Sequence, residues 1–138
     1  MVTHKAAYSS SPATHGVGRR KAAVARVWAR PGKGSIVVNG KEYKSYFDTE
    51  LSLHKIIFPL KVTGLASSTD INVNVFGGGL KSQAEAIQLG IARAILAANE
   101  SIRKVLRQHN LLTVDSRVKE RKKYGQKAAR RRFQFVKR

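Results

Sequence analysis

Cationic side chains at the end of the chain carry the clearest chemistry in this sequence. The last 22 residues, 117–138, contain eleven Lys and Arg residues and a single acid, Glu120. Tyr124, Phe133 and Phe135 are interleaved with these charges. Basic side chains contact phosphates, Arg in a bidentate manner, and aromatic rings stack on bases. The segment therefore predicts contact with a nucleic acid, at an affinity that falls steeply with salt.

A second basic cluster lies near the start of the chain, where Arg19, Arg20 and Lys21 are followed by Arg26. The first 34 residues carry seven basic residues and no acid. A charged run is usually a solvated face, but an acid-free run of this extent favours phosphate contact. The residues predicted to bind RNA from the two clusters are Arg19, Arg20, Lys21, Arg26, Arg117, Arg121, Lys122, Lys123, Lys127, Arg130, Arg131 and Arg132.

No combination of residues supports catalysis or metal binding. The four histidines are scattered without a pair at ligand spacing, and the eight carboxylates offer no clear acid–base pair. Three glycines at 77–79 precede Lys81, but their spacing is not that of a Walker A loop. They are expected to allow a tight strand-to-helix turn, whose helix N-terminus could still meet an RNA phosphate. We predict no catalytic residue, no cofactor, no metal and no small-molecule substrate.

Charge is distributed unevenly over the 138 residues, whose formal net charge is +19. Residues 1–34 contribute +7, residues 35–102 are neutral, and residues 103–138 contribute +12. Blocks of like charge repel and stay extended until a polyanion neutralises them, whereas a neutral block can fold. The predicted organisation is a flexible N-terminal arm at 1–15, a globular core at 16–112 and an extended basic tail at 113–138.

Composition excludes several classes of protein. A hydrophobic fraction of 42% is enough for a core, and the absence of Cys excludes a disulfide scaffold and cysteine-based zinc sites. No apolar run approaches the ~18 residues of a membrane span. Residues 1–18 show no convincing targeting signal. We expect one domain that does not enter a membrane.

Local patterns predict the strands of the core. The predicted strands cover residues 22–29, 35–38 and 70–76, together with an edge strand or extended segment at 55–62. The first two are joined through turn residues 31–34, and Asn39-Gly40 ends the second. The basic run at 19–21 is expected to begin the first strand. Pro59 is the reason for excluding a central strand at 55–62.

Helices are predicted around the remaining apolar positions. The main one has Ser82 as its N-cap and Glu85 as the partner in a capping box. Its apolar stripe comprises Ala84, Ile87, Ile91, Ala94, Ile95 and Ala98. Gly90 within it predicts close packing against the sheet. Shorter helices are expected from Asp48 toward His54, and at 100–108 with Ile102, Val105 and Leu106 inward. The fold class is α+β, a small mixed sheet with helices on one face.

Ordered motifs run from Gly16 to the end of the chain. They include GVGRRKAAVARV at 16–27, VFGGG at 75–79, SQA at 82–84, ERKKYG at 120–125 and the terminal Lys137-Arg138. Together these motifs resemble the universal small-subunit ribosomal protein nine family, of bacterial and organellar type. The chain departs from the family pattern at Ser82 and Glu85, where glycines are usual, at Val114, where Arg is usual, and at Val136, where Ser is usual.

This resemblance implies a fold, partners and a non-enzymatic role. The implied fold is that of the second domain of small-subunit ribosomal protein five, with a left-handed β-α-β crossover. The implied partners are the 3′ (head) domain of small-subunit ribosomal RNA, neighbouring head proteins and peptidyl-site tRNA. Lys137 and Arg138 would approach the tRNA, with residues 130–132 along the path. The implied location is the cytoplasm, in the small ribosomal subunit, with an organellar ribosome as the alternative.

Two other interpretations stay open from the residues. One is a free-standing nucleic-acid-binding protein or a cationic membrane-active peptide, which the same charge would suit. The other is an enzyme that holds a nucleotide at the glycine loop. That enzyme would need a base and metal ligands, for which the sequence offers no candidates.

Overall fold

A computed structural model describes residues 12–135 as a five-stranded sheet with four α-helices. The strands are β1 (Thr14–Arg20), β2 (Ala23–Pro31), β3 (Ile36–Val38), β4 (Lys41–Glu42) and β5 (Thr69–Phe76). The helices are α1 (Tyr43–Tyr46), α2 (Glu50–Thr63), α3 (Leu80–Ala98) and α4 (Arg103–Gln108), the last preceded by a 3₁₀ turn at Glu100–Ile102. The predicted α+β class is confirmed.

The sheet is mixed, with the strand order β1-β2-β5-β3-β4. All neighbouring strands are antiparallel except β3 and β5, which run parallel. A parallel pair cannot be joined by a tight turn, so the chain crosses from β3 to β5 through β4, α1 and α2. The strands predicted at 22–29 and 35–38 are present as β2 and β3, but β5 lies between them.

Helix α3 packs on one face of β1 and β2 and against α2. Alternate residues of β2 point toward it, and the inward ones are small: Ala23, Ala25, Val27 and Ala29 are all buried. Two glycines allow close approach here. A Cβ at Gly18 would overlap the carbonyl oxygen of Ala86, and one at Gly90 would lie 2.6 Å from Val27 Cγ2. The close packing predicted at Gly90 is therefore confirmed.

The Asn39-Gly40 turn joins β3 to β4 and also locks β3 onto β5. Asn39 has a positive φ of 49°, and its side-chain amide pairs with both backbone groups of Val75, donating to the carbonyl and accepting from the N–H at 2.9 Å each. Tyr46 continues this network by donating to Gln83, which donates in turn to the Gly77 carbonyl. The polar chain thus fixes the glycine loop at the start of α3.

The prediction of an edge strand or extended segment at 55–62 is wrong, because these residues form most of α2. Proline in a helix interior costs about 3 kcal/mol. Here Ile56, Pro59 and Leu60 are buried, and an apolar stripe at helical spacing packs α2 against α3. Tertiary burial outweighs the local penalty. The helix predicted from Asp48 toward His54 is thus present, and it is longer than expected.

Several predicted boundaries also need correction. Helix α3 begins at Leu80 with Gly79 as its N-cap, so Ser82 lies in its first turn and its hydroxyl donates to the Gly79 carbonyl. Glu85 is then too far along the helix to complete a capping box. The run at 19–21 does not begin β2, because it ends β1 and enters the turn. Val105 and Ala98 are exposed, whereas Leu106 is buried as predicted.

The Gly90 contact gives a test of the packing between α3 and the β1–β2 pair of strands. Gly90→Ala is expected to lower the free energy of unfolding by roughly 1–3 kcal/mol, because the added methyl overpacks against Val27. Helix propensity alone would give the opposite sign, a stabilisation of about 1 kcal/mol. Urea denaturation of the two proteins measures the difference. A more stable variant would contradict the close approach.

Candidate nucleic-acid interface

The β1–β2 hairpin places its adjacent arginines on opposite faces of the sheet. Strand residues alternate between faces, so Arg19 and Arg26 lie on the face away from the helices, and both are exposed. Arg20 lies on the helix side. Lys21 is in the tight turn with a positive φ of 52° and is exposed. Three of the four predicted phosphate contacts in this cluster are therefore open to solvent.

We call the surface of the sheet opposite the helices the outer face. It combines arginines with amides, rings and one carboxylate, and each of its residues is exposed or half-buried: His15, Val17, Arg19, Val24, Arg26, Trp28, Arg30, Val37, Asp70, Asn72, Asn74 and Phe76. The His15 and Trp28 rings lie 5.3 Å apart across the β1–β2 pair, and Phe76 is 56% exposed. Exposed arginines beside rings suit phosphate contact and base stacking.

Trp28 and Phe76 were not predicted as functional residues. The available signal was the alternation in β2, where small inward residues at 23, 25, 27 and 29 leave the larger side chains at 24, 26, 28 and 30 outside. Phe76 lies on the same side through its register with Val24. Pairing of β2 with β5 depends on contacts far apart in sequence, so Phe76 could not be placed beside the arginines beforehand.

Arg20 joins three segments through one guanidinium. Its Nε lies 2.8 Å from Glu85 Oε2 on α3, and one terminal nitrogen lies 3.1 Å from Asp115 Oδ2. The other terminal nitrogen donates to the carbonyls of Arg117 and Asp115. Lys55 Nζ contacts the second Glu85 oxygen at 2.6 Å. Arg20 is thus placed against protein acceptors, unlike the neighbouring Arg19.

The carboxylates of this network are held in their ionised form. Burial raises the pKa of Glu85, but contacts with Lys55 and Arg20 outweigh it and keep the pKa below its ordinary value. Hydrogen bonds from Arg117 hold the pKa of Asp115 far below its usual range, with Arg20 adding to the effect. Both carboxylates therefore carry full charge at neutral pH, and the network is an ionic one.

Residues 113–135, which we call the C-terminal segment, follow α4 and contain no helix or strand. Tyr124, Phe133 and Phe135 are 95%, 61% and 88% exposed. Glu120 pairs with Arg130 at 3.0 Å, and Lys127 Nζ lies 5.6 Å from the Phe133 ring centroid. Rings and charges therefore alternate along a solvent-facing surface, an arrangement typical of proteins that bind single-stranded nucleic acid.

The cations of the C-terminal segment that are predicted to contact RNA are exposed, apart from the half-buried Lys123. They are Arg117, Arg121, Lys122, Lys123, Lys127, Arg130, Arg131 and Arg132. Arg117 is bound to Asp115, and Lys123 lies 3.5 Å from Glu120. Lys137 and Arg138 lie outside the described residues, as do residues 1–11 of the predicted arm. Strand β1 begins at Thr14, within the stretch predicted as that arm.

A cleft lies beside Glu85 and Asp115, the two carboxylates that Arg20 contacts. This cleft, of about 270 Å³, is lined by Glu85, Asp115 and His109, and Arg20 contacts both acids. Within residues 12–135 no three His, Asp or Glu side chains are grouped so as to hold a metal ion. No helix in the same range is long and apolar enough to span a membrane.

Comparison with known proteins decides the family. The sequence profile described as Ribosomal protein S9/S16 matches residues 18–138. The chain belongs to the ribosomal protein S9 family. This confirms the predicted family and the prediction that the chain is not an enzyme, because S9 proteins are structural components of the ribosome.

Relatives of this S9-family chain cover nearly its whole length. The Small ribosomal subunit protein uS9 of Cytophaga hutchinsonii is 55% identical over 122 residues, which is 88% of this chain and 95% of the relative. Its counterpart in Christiangramia forsetii is 50% identical over 90% of this chain and 97% of the relative. The Thermotoga maritima protein of that name is 50% identical over 90% and 95%.

The charge of Glu85 gives a pH-dependent prediction. Because its pKa is lowered on folding, its contribution to stability is present above the unfolded value of about 4.3 and is lost as pH falls through the folded value. The Glu85→Gln variant should therefore have a lower free energy of unfolding than the unsubstituted chain at pH 7. The difference between the two free energies should become smaller toward pH 3. Urea denaturation at several pH values measures it, with Glu50→Gln as the control for losing one negative charge. A difference in free energy of unfolding that stays constant with pH would show that Glu85 acts through packing and not through its charge.

Proposed function

We propose that this chain is a structural constituent of the small ribosomal subunit that binds the 3′ domain of its ribosomal RNA in the head. The observation that carries the proposal is the family match, which extends through the basic C-terminal residues to residue 138. Relatives that are half identical in sequence bear the name Small ribosomal subunit protein uS9. A net charge of +19 fits a protein that folds beside a polyanion.

The RNA contacts are proposed to come from two surfaces. On the outer face and hairpin turn, Arg19, Lys21 and Arg26 would bind phosphates, and the half-buried Trp28 and the exposed Phe76 offer rings to unpaired bases. In the C-terminal segment the cations are Arg117, Arg121, Lys122, Lys123, Lys127, Arg130, Arg131 and Arg132. A compact core would thus dock on one RNA element while the segment follows another.

The end of the chain is proposed to reach the peptidyl-site tRNA. Lys137 and Arg138 are the residues that the family resemblance assigns to this contact, with residues 130–132 lining the path. The remaining proposed partners are neighbouring proteins of the subunit head, and the proposed location is the cytoplasm, in the ribosome. The parallel β3–β5 pair joined through helices supplies a β-α-β crossover, which we propose is the left-handed one of the implied fold, that of small-subunit ribosomal protein five, domain two.

Salt dependence tests the phosphate contacts of the C-terminal segment. Changing Arg130, Arg131 and Arg132 to Gln should lower the slope of log Kd against log salt by roughly 2–3, because each phosphate contact contributes about 0.7–0.9. The control changes Lys41, Lys44 and Lys61, three exposed lysines of the neutral middle, to Gln. Titration of each protein with a head-domain rRNA fragment gives the slopes. Equal slopes for the two triple variants would argue against a specific role for these arginines.

A truncation separates the tRNA contact from assembly. Deleting residues 133–138 should leave incorporation into small subunits mostly intact, since the core and residues 113–132 remain. It should weaken tRNA binding at the peptidyl site, because the terminal cations would no longer meet the tRNA backbone. Filter binding of tRNA to purified subunits, corrected for occupancy of the chain, measures the loss. Equal tRNA affinity for truncated and intact subunits would remove this part of the proposal.

A further inference from the structure

Arg20 differs from the other cations of the basic hairpin in its surroundings. Its side chain is only 13% exposed, and every part of its guanidinium faces a protein acceptor. The two carboxylates it contacts, Glu85 and Asp115, lie on different elements. A phosphate contact by Arg20 would require breaking these interactions. Arg20 and Arg19 are neighbours in sequence, but their side chains therefore lie in different surroundings.

The acceptors of Arg20 connect the core to the beginning of the C-terminal segment. Asp115 and Arg117 are 95 and 97 residues from Arg20 in sequence. Leu111 is the last buried residue of the described chain, packing with Ala92 and Leu106. Leu112 is half-buried and packs against the same cluster, whereas no side chain of residues 113–135 is fully buried, so little apolar packing holds the C-terminal segment. The guanidinium supplies a fixed connection just after that point.

We propose that Arg20 is a positioning residue that fixes where the C-terminal segment leaves the core. The guanidinium is planar with five donors, so it can bind Glu85 along one edge while it holds Asp115 and the Arg117 carbonyl along another. The turn of the hairpin thereby sets the path of the segment. The purpose of this contact rests on the proposed function, in which the C-terminal segment must reach its RNA target from a fixed point on the core. The existence of the contact does not rest on that function.

Glu85 provides the core side of this connection. It lies on α3, whose packing on β1 and β2 makes it a rigid support. The Arg20–Glu85 pair therefore orients the guanidinium toward the C-terminal segment.

Removal of Arg20 should leave the core folded. Glu85 keeps Lys55 at 2.6 Å, and Asp115 keeps Arg117 at 2.7 Å, so neither carboxylate is left without a cation. Substitution at this site therefore separates the direction of the segment from the stability of the fold.

The test uses the absence of Cys from the sequence, which permits labelling at chosen sites. Spin labels are attached at Ser67→Cys on the core and Val118→Cys in the segment, both exposed positions, and pulsed electron resonance gives the distance distribution. The matched pair is Arg20→Gln and Arg19→Gln, which remove the same charge from adjacent residues. Arg19→Gln should keep the narrow distribution of the natural chain, and Arg20→Gln should lose the narrow component.

Further variants show whether the guanidinium acts through Asp115. Asp115→Asn should broaden the distribution as Arg20→Gln does, and Arg20→Lys should not restore the narrow component, because an ammonium cannot present two edges. A narrow distribution in Arg20→Gln, or full rescue by Arg20→Lys, would overturn the proposal. Far-ultraviolet circular dichroism confirms that each variant is folded. No RNA is present, so the outcome does not depend on whether the ribosomal function is correct.

Discussion

Mutual repulsion among cationic side chains is the constraint on which this structure depends. The chain has 27 Lys and Arg residues and only eight acids. A compact state that gathered these cations together would be destabilised by like-charge repulsion. The structure resolves this by building its core from the neutral middle and the alternating hairpin, and by holding most cations at the hairpin turn, the outer face and the C-terminal segment.

Four of the eight carboxylates, Asp70, Glu85, Asp115 and Glu120, lie where segments of the chain are held together. Asp70 accepts from the backbone N–H groups of Lys33 and Ser35 at 2.9 Å each, and these hydrogen bonds, the strongest from Ser35, hold its pKa below the ordinary value. Glu85 and Asp115 both bind Arg20, and Glu120 closes the C-terminal segment onto Arg130. Because acids are so scarce, most of the cations proposed to contact RNA have no carboxylate beside them, and Arg117, Lys123 and Arg130 are the exceptions.

The packing of α3 determines which surfaces stay open. Gly18 and Gly90 bring α3 close to the β1–β2 hairpin, so α3 covers the inward face of these strands, whereas their outer-face residues are exposed or half-buried. An antiparallel ribbon with one covered face can present its other face to water or to a partner. The same alternation that buries Ala25 and Val27 therefore exposes Arg26 and leaves Trp28 half-buried on the outer face. Packing and the candidate interface are two consequences of one strand register.

Local patterns predicted the elements that depend on nearby residues. The strand at 70–76, the apolar stripe of α3 up to Ile95, the close approach at Gly90 and the Asn39-Gly40 turn are all present. The strand prediction at 55–62 failed because of distant contacts: Pro59 is tolerated in α2 because burial against α3 outweighs its local cost. The surroundings of Arg20, whose RNA contact stays a prediction, also depend on distant residues, because Glu85 and Asp115 meet it from elsewhere in the chain. The spacing of residues in the sequence cannot distinguish a cation that is free to bind a phosphate from one that is bound by carboxylates of the same protein.

The central claim is that the charge of this chain is matched by ribosomal RNA of the small subunit. Sucrose-gradient sedimentation of a lysate that contains the tagged chain tests it most directly. The account predicts that the chain travels with small subunits and with full ribosomes, and that it is absent from free large subunits. A chain that stays at the top of the gradient, or that sediments equally with both subunits, would contradict the account.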